Sequence, residues 1–555
     1  MYRGATEVAP FSYSWCDESM AYPYLHVGSA ADVQGSDRLI YRALEILPGL
    51  LAWSTLIGIV VLSWKAPVAA AIFIILFDFY WLMKTIFLSA HLRASWKRMR
   101  HHLAIDWEER LRAMRWEHLQ QLVIIPFFRE ERAFVEEAIE NLLSTRWPKE
   151  RMMVVLAAEE AAGKETANFA RELKNRYEKQ FGSFLLTVHP AGRAGEIPGK
   201  GANETWALHQ SLRLIKDAAL DPKDILVSSF DVDTRVPPHY FLCLAWHFLT
   251  AEKPHRSSFQ PVPLYHNNIW QAPAISRVVA MSGTFWQMMQ QERPERLTTF
   301  SSHSMSLPSL MDLGGWQTNI VSEDSRIFWN HYLFYEGDWC TVPLSYPVFM
   351  DANVGKNIWQ TVKNVYRQQR RWGWGVENVP YALFGFIKQT AIPLRKRFYY
   401  AFNLLEGFWS WGTNAIFIFL LGWLPLFLGG EAFNQTILSY NLPRITRAIM
   451  TLAMVGLISS AVISIRLLRS ADPSSARKKI DDPTRHSGSA SPFIPIRKWS
   501  RWFLIALQWL LLPVTILLFG ALPGLEAQTR LLLGGRWRLG FWLTPKHRLT
   551  HLERH

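Results

Sequence analysis

Two long apolar runs near the start of the chain restrict what it can fold into more than any other feature. Residues 43–64 and 67–90 each have about the 20 residues that a helix needs to cross a hydrocarbon core of roughly 30 Å. Only Lys65 and Ala66 separate them, so we predict a transmembrane hairpin. An excess of lysine and arginine marks the cytosolic side, and we therefore expect the middle of the chain to be cytosolic. The basic residues after the second run are Arg93, Lys97, Arg98 and Arg100.

Apolar character returns in three later runs, residues 398–428, 449–465 and 502–522, which makes five candidate spans. Three full crossings after a cytosolic middle would leave the C-terminal tail outside, yet the basic residues of that tail are typical of the inner side. Prolines interrupt the last run, and Glu406 lies among aromatic residues in the first, so either run is a candidate for an interfacial or re-entrant segment. The sequence leaves that choice open. Within the hairpin, Asp78 and Lys84 are expected to snorkel or to face a neighbouring helix.

The formal net charge of +14 fits a nucleic acid, a lipid surface or a polyanionic substrate until its location is considered. Many basic residues flank the apolar runs and do not interleave with aromatic residues of a soluble domain, which disfavours nucleic acid and favours membrane lipid. Cys16, Cys243 and Cys340 are widely spaced, so neither a disulfide framework nor a zinc site is predicted. We find no cleavable signal peptide in the first thirty residues and expect internal segments to direct insertion.

Strand-like and helix-like runs alternate in the middle of the chain, which predicts an α/β fold with a parallel sheet. The last predicted strand runs directly into Asp231-Val232-Asp233. Because ligands of open α/β sheets bind beyond the carboxyl ends of the strands, these aspartates are well placed for a site. The predicted strands are 119–125, 152–156, 184–188 and 224–230, and the predicted helices are 133–143, 164–180 and 203–219.

The side chains of Asp231 and Asp233 offer carboxylate oxygens, which hard cations such as Mg²⁺ or Mn²⁺ choose. A cation bound there would neutralise a diphosphate and improve it as a leaving group. Taken alone, an acidic pair at a strand end is more often a turn former or a helix cap. The motifs around this acidic pair favour a metal-binding role over a turn or a helix cap.

Several motifs occur in a characteristic order along the chain. The first five are Pro126-Phe-Phe-Arg-Glu130, Lys200 in a Gly-rich turn, Asp231-Val-Asp233, Ser322-Glu323-Asp324 and Gln368-Gln-Arg-Arg371-Trp372. From about residue 123 to 372 the chain resembles a membrane-bound family 2 glycosyltransferase of the branch that includes cellulose and hyaluronan synthases. Phe541-Trp-Leu-Thr-Pro-Lys546 also resembles the gating motif of such synthases. The resemblance implies a GT-A (Rossmann-like) α/β domain inserted between transmembrane helices.

The resemblance also implies a chemistry for the acidic motifs. Asp324, with Glu323 beside it, would act as the general base that takes a proton from the acceptor hydroxyl, and inversion at the anomeric carbon would follow. The metal held by Asp231 and Asp233 would lie on the opposite side of the sugar from Asp324. The local pattern by itself favours helix capping for Glu323 and Asp324.

Binding roles follow from the same resemblance. Arg371 would face the diphosphate with its planar guanidinium, Trp372 would stack near the acceptor sugar, and Gln368 would hold the acceptor or the donor. A membrane-surface helix is the alternative for this basic stretch. Lys200 lies near the nucleotide or is only a turn lysine, and His303 is expected to be an ordinary hydrogen-bonded loop residue. The remaining predicted donor or acceptor residues are Glu130, Glu159, Glu160, Thr544 and Lys546.

Two departures from the family pattern concern the nucleotide. The second strand ends in Ala157-Ala158-Glu159-Glu160, where the family usually has an Asp-rich sequence that contacts the base. Arg129 stands where an Asn usually precedes Glu130. The proposed catalytic residues are all present, but the base of the nucleotide stays open.

We therefore predict an inverting, Mg²⁺- or Mn²⁺-dependent glycosyltransferase that moves a sugar from a nucleotide-sugar, a UDP-sugar in the first instance, to a polysaccharide or glycolipid acceptor. It would be an integral protein of a bacterial inner (plasma) membrane, with a cytosolic catalytic domain. The alternative is a non-catalytic membrane sensor or scaffold that binds a nucleotide or sugar. The predicted regions are an N-terminal cytosolic segment (1–42), a transmembrane hairpin (43–90), a basic linker (91–118), the GT-A domain (119–380), interfacial and transmembrane helices (381–468), a cytosolic basic loop (469–500), and a membrane segment with the gating-like tail (501–555).

Overall fold

The computed structural model of the chain describes residues 22–470 and 498–545. Within this part, seven strands form one mixed sheet in the order β3-β2-β1-β4-β6-β5-β7. Cys16, Lys546 and most of the predicted basic loop lie outside the described residues. The strands are β1 (Gln120–Pro126), β2 (Met152–Glu159), β3 (Ser183–His189), β4 (Ile225–Ser229), β5 (Ser257–Leu264), β6 (Ser304–Ser306) and β7 (Cys340–Phe349).

The α-helices surround this sheet and continue into the apolar segments on either side of it in the sequence. Their bounds are α1 (Gly35–Lys65), α2 (Pro67–Ala104), α3 (Trp107–Leu111), α4 (Arg132–Leu143), α5 (Lys164–Tyr177), α6 (Lys200–Asp217), α7 (Tyr240–Thr250), α8 (Ala274–Gln291), α9 (Leu307–Leu313), α10 (Glu323–Phe334), α11 (Ile358–Gly373), α12 (Asn378–Lys388), α13 (Leu394–Ile416), α14 (Leu424–Leu428), α15 (Gly430–Asn434), α16 (Ile437–Ser470), α17 (Lys498–Leu507), α18 (Leu512–Ile516) and α19 (Leu522–Leu533).

The sheet is buried on both faces, which explains the continuous apolar run of its central strand. Along β1, Val123 and Ile125 pack against α4, α5 and α7, whereas Leu122 and Ile124 point to the opposite face and pack with α6, α9 and α10. Successive side chains of a strand alternate between faces, so a strand covered on both sides needs apolar residues throughout. The four predicted strands and three predicted helices of this region are all present, with ends shifted by a few residues.

The prediction of a parallel sheet is correct for one half and wrong for the other. Strands β3, β2, β1 and β4 pair in parallel, but β6 is antiparallel to both β4 and β5. β6 has three residues, two of them serine, and so shows no apolar run from which a strand or its direction can be predicted. Within the sheet, β6 lies between the parallel half and the β5–β7 pair, and it joins the two.

Four helices of the described chain are long and apolar enough to cross a membrane, two before the sheet domain and two after it. The fifth predicted span, residues 449–465, lies within α16, whose side chains are only partly described. Asp78 accepts a hydrogen bond from Thr446 of α16, and Lys84 forms an ion pair with Glu406 of α13. These contacts confirm that both charges face neighbouring helices. The four candidate spans are Gly35–Lys65, Pro67–Ala104, Leu394–Leu421 and Phe503–Leu533.

The last of these segments has both ends on the side of the sheet domain. Near its start, Gln508 accepts a hydrogen bond from Arg277 of α8. Near its end, the carbonyl groups of Leu531 and Leu532 accept hydrogen bonds from Arg42 at the beginning of α1. The helix is interrupted by a π-helical turn at Leu517–Ala521. In the middle of the segment, Phe519 also packs with Val279 of α8 and Val365 of α11. These contacts favour the interfacial alternative for the last apolar run, since a full crossing would place its two ends on opposite sides.

Candidate active site

A single buried lysine gathers the acidic residues beyond the carboxyl ends of the strands. Lys200 is the first residue of α6, and its Nζ lies 3.0 Å from Asp231 Oδ1 and 2.8 Å from Asp324 Oδ1. The same nitrogen lies 3.6 Å from Oε1 of the buried Glu204. Asp231 and Asp324, far apart in sequence, therefore flank one ammonium group. Lys200 is thus at the centre of the site and is more than a turn residue.

The local electrostatics keep this lysine charged. Burial by itself would lower the pKa of Lys200, but the negative charges of Asp231 and Asp324 raise that pKa well above its usual value. Burial raises the pKa of Glu204 to about 8, against the attraction of Lys200. Burial therefore favours the neutral form of Glu204, and Asp231 and Asp324 supply the negative charge beside Lys200.

Glycines on both sides of Lys200 permit close contacts within the protein. A Cβ atom at position 201 would lie 2.8 Å from the carbonyl oxygen of Gln317 and 3.0 Å from Cβ of Glu323, too close for any larger residue. A Cβ at position 199 would lie 3.3 Å from the ring of Phe541. The glycines bring the start of α6 against the Glu323 turn and the C-terminal tail.

The two aspartates of the Asp-x-Asp motif follow β4 and are held by loop residues. Asp231 Oδ2 accepts a hydrogen bond from Ser301 Oγ at 2.7 Å, and Asp233 Oδ2 accepts one from the backbone N–H of Asp351 at 3.0 Å. The described part of the chain contains no cluster of three or more His, Cys, Asp or Glu residues that could hold a metal by itself. Two carboxylates fit a Mg²⁺ or Mn²⁺ ion that takes its other ligands from phosphate oxygens and water.

The Glu323-Asp324 pair occupies the first turn of α10, but it does not cap the helix in the predicted way. Ser322, at the N-cap position, makes no side-chain capping bond, and Asp324 is directed to Lys200. Burial, reinforced by the charge of Asp324, raises the pKa of Glu323 well above its usual value and favours its neutral form. Asp324 is about a quarter exposed, at 24% of its side chain. Of the two acids, Asp324 is therefore the one that a substrate can reach.

The turn that carries Asp324 is held by a buried glutamate that the sequence did not single out. Glu377 Oε1 accepts hydrogen bonds from the N–H groups of Val321 and Ser322 at 3.2 and 2.9 Å, and from Ser322 Oγ at 2.7 Å. Its Oε2 accepts a hydrogen bond from Trp374 Nε1 at 2.9 Å. Its position five residues after Trp372 could have drawn attention to Glu377. A sequence pattern does not show which distant residues it contacts.

Replacing Glu377 by leucine is expected to lower kcat on the order of 10²-fold, because a small displacement of the turn that carries Asp324 is enough for such a loss if Asp324 is the base. Glutamine retains an acceptor oxygen for Val321 and Ser322, so the Glu377→Gln enzyme should keep most of its activity. Steady-state kinetics with the donor would test this. Equal loss in the two variants would contradict a role that depends on accepting these hydrogen bonds.

The Gln-x-x-Arg-Trp motif lies on α11, and Arg371 faces the C-terminal tail. Its guanidinium lies 5.5 Å from the ring centroid of Phe541, and its Nε has no hydrogen-bond partner among the described residues. Arg538 binds Glu45 and the carbonyl of Gly28, which fixes the tail beside the site. Residues 538–545 therefore lie on the side of the sheet domain.

The other residues of this motif and of the tail lie in different surroundings. Gln368 and Trp372 line a small cavity, and the Trp372 ring lies 6.3 Å from that of Tyr265. Thr544 is buried, but Lys546 lies outside the described residues. Arg370 pairs with Glu526 of α19 at 2.8 Å. Arg370 and Trp372 thus contact other parts of the protein, which does not fit a simple surface helix.

The predicted nucleotide residues lie at the ends of β1 and β2. Glu130 accepts a hydrogen bond from the N–H of Phe128 at 2.7 Å. Burial, and next the charge of Glu130, raise the pKa of Glu159 to about 7. Glu160 instead accepts a hydrogen bond from the N–H of Ala191 at 2.9 Å, a contact that holds the loop after β3. Glu130 and Glu159 therefore form an acidic pair, and Glu160 has a structural contact.

Replacing Glu159 by glutamine is expected to raise thermal stability at pH 8 more than at pH 5. The unfolded carboxyl ionises near 4.5 and the folded one near 7, so wild-type stability falls as the pH rises between these values and stays low above them. Glutamine does not ionise, so the variant does not lose stability over this pH range. Melting curves in detergent at the two pH values would measure it, with the exposed Glu160→Gln as the control. An equal shift of Tm at both pH values would contradict the raised pKa.

His303 is a structural residue, as its sequence context indicated. Its Nε2 accepts a hydrogen bond from Trp316 Nε1 at 3.2 Å, so the proton is on Nδ1, which donates to the carbonyl of Phe300 at 2.8 Å. Burial lowers the pKa of His303 despite the nearby charge of Asp324. Because both nitrogens are engaged and the ring is neutral, His303 is not placed to act as a base.

The mixed α/β sheet carries an Asp-x-Asp turn after β4, a reachable acid on α10 and an arginine on α11, the arrangement that the resemblance to GT-A glycosyltransferases predicts. Residues 226–462, which include these groups, match the family model described as glycosyl transferase family group 2. Over these residues the chain is therefore similar to this glycosyltransferase family.

Comparison with solved structures gives matches of low sequence identity. One is the mannosyltransferase PcManGT from Pyrobaculum calidifontis in complex with GDP-Man and Mn²⁺, at 14% identity, covering 80% of this chain and 99% of that chain, with a TM-score of 0.36. Another is S. aureus TarS 1–349 in complex with UDP-GlcNAc, at 12% identity, covering 66% of this chain and 93% of that chain, with a TM-score of 0.28. No curated protein matches the sequence.

Proposed function

We propose that the enzyme transfers a sugar, with inversion, from a nucleotide-sugar to a hydroxyl group of a polysaccharide or glycolipid acceptor. The observation that carries the proposal is the contact of Asp231 and Asp324 with the same buried ammonium of Lys200. This contact joins the acidic group that follows β4, suited to a diphosphate and its cation, to a reachable carboxylate suited to proton abstraction. Donor binding and acceptor activation would occur at one centre.

Asp324 is the general base in this proposal. Its Oδ1 is engaged by Lys200, and its Oδ2 makes no hydrogen bond to any described residue. Oδ2 can therefore take the proton of an acceptor hydroxyl while that oxygen attacks the anomeric carbon. The bond from this carbon to the diphosphate breaks on the opposite face, and inversion follows.

The diphosphate would be held from several sides. Asp231 and Asp233 would hold Mg²⁺ or Mn²⁺, which when bound supplies positive charge to the leaving diphosphate. Arg371, whose Nε has no partner in the part of the chain that the structure describes, would add charge-assisted hydrogen bonds from α11. Glu130 and Glu159 would face the nucleotide base at the ends of β1 and β2, and Thr544 and Lys546 would approach the diphosphate from the tail.

We further propose that the sheet domain lies on the cytosolic face of a bacterial inner (plasma) membrane, in contact with membrane lipid. Lys97, Arg98 and Arg100 lie at the end of α2 that adjoins the sheet domain, and such residues are enriched on the cytosolic side. A nucleotide-sugar made in the cytosol would then reach the site directly.

The test is donor turnover by the purified full chain in lipid nanodiscs. UDP- and GDP-sugars are offered with Mg²⁺ or Mn²⁺, and release of nucleoside diphosphate is measured. We expect release from at least one donor, loss of release on addition of EDTA, and loss in the Asp231→Asn variant. Asp338→Asn is the matched control, because Asp338 pairs with Lys253 and Arg256 away from the site. No release from any donor, or release that resists EDTA, would refute the proposal.

A further inference from the structure

A small cavity lies beside the proposed catalytic centre and is not explained by the roles assigned so far. It is enclosed by α8, α11 and the loop after β7, and Trp372 and Tyr265 form its aromatic wall. The loop that lines it begins at Asp351, whose N–H group binds Asp233 of the Asp-x-Asp motif. The cavity is therefore one hydrogen bond away from the proposed metal-binding carboxylates.

The cavity contains a buried amide without partners. The Asn353 side chain lines it, only 6% of this residue is exposed, and neither Oδ1 nor Nδ2 has a hydrogen-bond partner among the described residues. An unsatisfied buried polar group costs about 1–3 kcal/mol, so such groups in folded proteins usually bind a ligand or water. An amide offers one acceptor and one type of donor, which matches a hydroxyl group, itself both donor and acceptor.

The size of the cavity limits what can enter. The space open to the centre of a water molecule is about 10 Å³, which corresponds to one water-sized group. A hydroxyl group fits, whereas a carboxylate or an acetamido group is too large. The neighbouring rings of Trp372 and Tyr265 suit the apolar face of a sugar, which carries hydroxyl groups at its edge.

We propose that this cavity is an acceptor subsite that receives one hydroxyl group of the acceptor sugar and binds it through Asn353. The inference rests on the proposed function and adds to it the chemical class of the acceptor, a sugar with a free hydroxyl at the position that enters. The hydroxyl orients the acceptor on Trp372, so that another hydroxyl of the same acceptor reaches Asp324. Asn353 makes no contact with the donor in this arrangement.

The experiment separates transfer to the acceptor from hydrolysis of the donor. Membranes that contain the full chain and their own acceptors are given the radiolabelled nucleotide-sugar that the wild type turns over, with Mn²⁺. Product is divided between butanol, which takes lipid-linked sugar, and water, which takes polysaccharide. Free labelled sugar measures hydrolysis. The variants are Asn353→Ala, which removes the amide, and Ala280→Val, which fills the cavity from its other wall on α8.

In both variants we expect product in the affected phase to fall about tenfold or more, the effect of one lost buried hydrogen bond, while hydrolysis and the donor KM stay unchanged. Loss of label from butanol identifies a lipid-linked acceptor sugar, and loss from water identifies a polysaccharide acceptor. Asn364→Ala is the matched control, because Asn364 is a buried amide of α11 outside the cavity. It should leave the ratio of product to hydrolysis as in the wild type.

Two results would overturn the inference. If Asn353→Ala and Ala280→Val keep the wild-type ratio of product to hydrolysis, the cavity holds only a water molecule. If product and hydrolysis fall together, Asn353 acts on the donor or on the fold. A wild type that turns over no donor would instead refute the proposed function, and the subsite with it.

Discussion

Replacing Asp324 by asparagine is expected to lower sugar transfer by about 10²–10⁴-fold, the usual contribution of a general base. Asparagine preserves the size of the side chain and a hydrogen-bonding oxygen for Lys200, but it cannot take the proton of the acceptor. Binding of the donor should persist, because Asp231, Asp233 and Arg371 remain. Transfer of labelled sugar and a separate measurement of donor affinity would show this division between chemistry and binding.

The neighbouring acid provides the control for this variant. Glu323 is buried, and its raised pKa favours the neutral form, so glutamine closely imitates the group that is already present. Glu323→Gln should therefore retain activity within a few-fold of the wild type, with unchanged stability. If Glu323→Gln abolished transfer and Asp324→Asn did not, the assignment of the base would have to be exchanged between the two acids.

Replacing Lys200 by methionine is expected to reduce the free energy of unfolding by about 3–5 kcal/mol, the typical cost of removing one partner of a buried ion pair. Methionine fills much of the space of lysine but leaves Asp231 and Asp324 repelling each other with no cation between them. Bound Mg²⁺ or Mn²⁺ together with the donor should recover part of the loss, since they bring positive charge to the same carboxylates. Thermal unfolding with and without donor and metal would measure both effects.

Two comparisons make this prediction specific. Lys253→Met removes an exposed partner of Asp338 and should cost only about 0–1 kcal/mol. The double variant Lys200→Met with Asp324→Asn should be less destabilised than the sum of the two single variants, because one of the uncompensated charges is gone. Additive effects, or a cost for Lys200→Met no larger than that of Lys253→Met, would show that the lysine is not the centre of the charge network.

The sequence predicted the elements of this fold better than their directions. Apolar runs identify β1 and β2 because a strand covered on both faces must be apolar throughout. The three residues of β6 leave no such trace, so the change from parallel to antiparallel pairing could not be foreseen. The last apolar run satisfies the length of a span, yet the helical segment that contains it is bound near its start to Arg277 and near its end to Arg42, and only tertiary contacts reveal that.

For the site as well, the sequence predicted several residues but not the contacts between them. Motif order brought Asp231, Asp324 and Arg371 forward, but it could not show that Lys200 joins two of them. Glu377 and Asn353 belong to no motif and act through distant partners or an enclosed space, for which a linear pattern has no signal. Glu160, also at a motif position, accepts a hydrogen bond from the backbone of Ala191, a contact that the motif did not indicate.

The tail contact has a consequence for how the enzyme is made. Arg538 binds Glu45 and Gly28, and Phe541 lies against Gly199 and Arg371, so some of the last described residues close on some of the first. Synthesis on the ribosome proceeds from the N-terminus, so the sheet domain emerges and folds well before residue 541 does. We therefore expect the proposed site to stay incomplete in a nascent chain until residue 541 has been synthesised and has packed against Gly199 and Arg371.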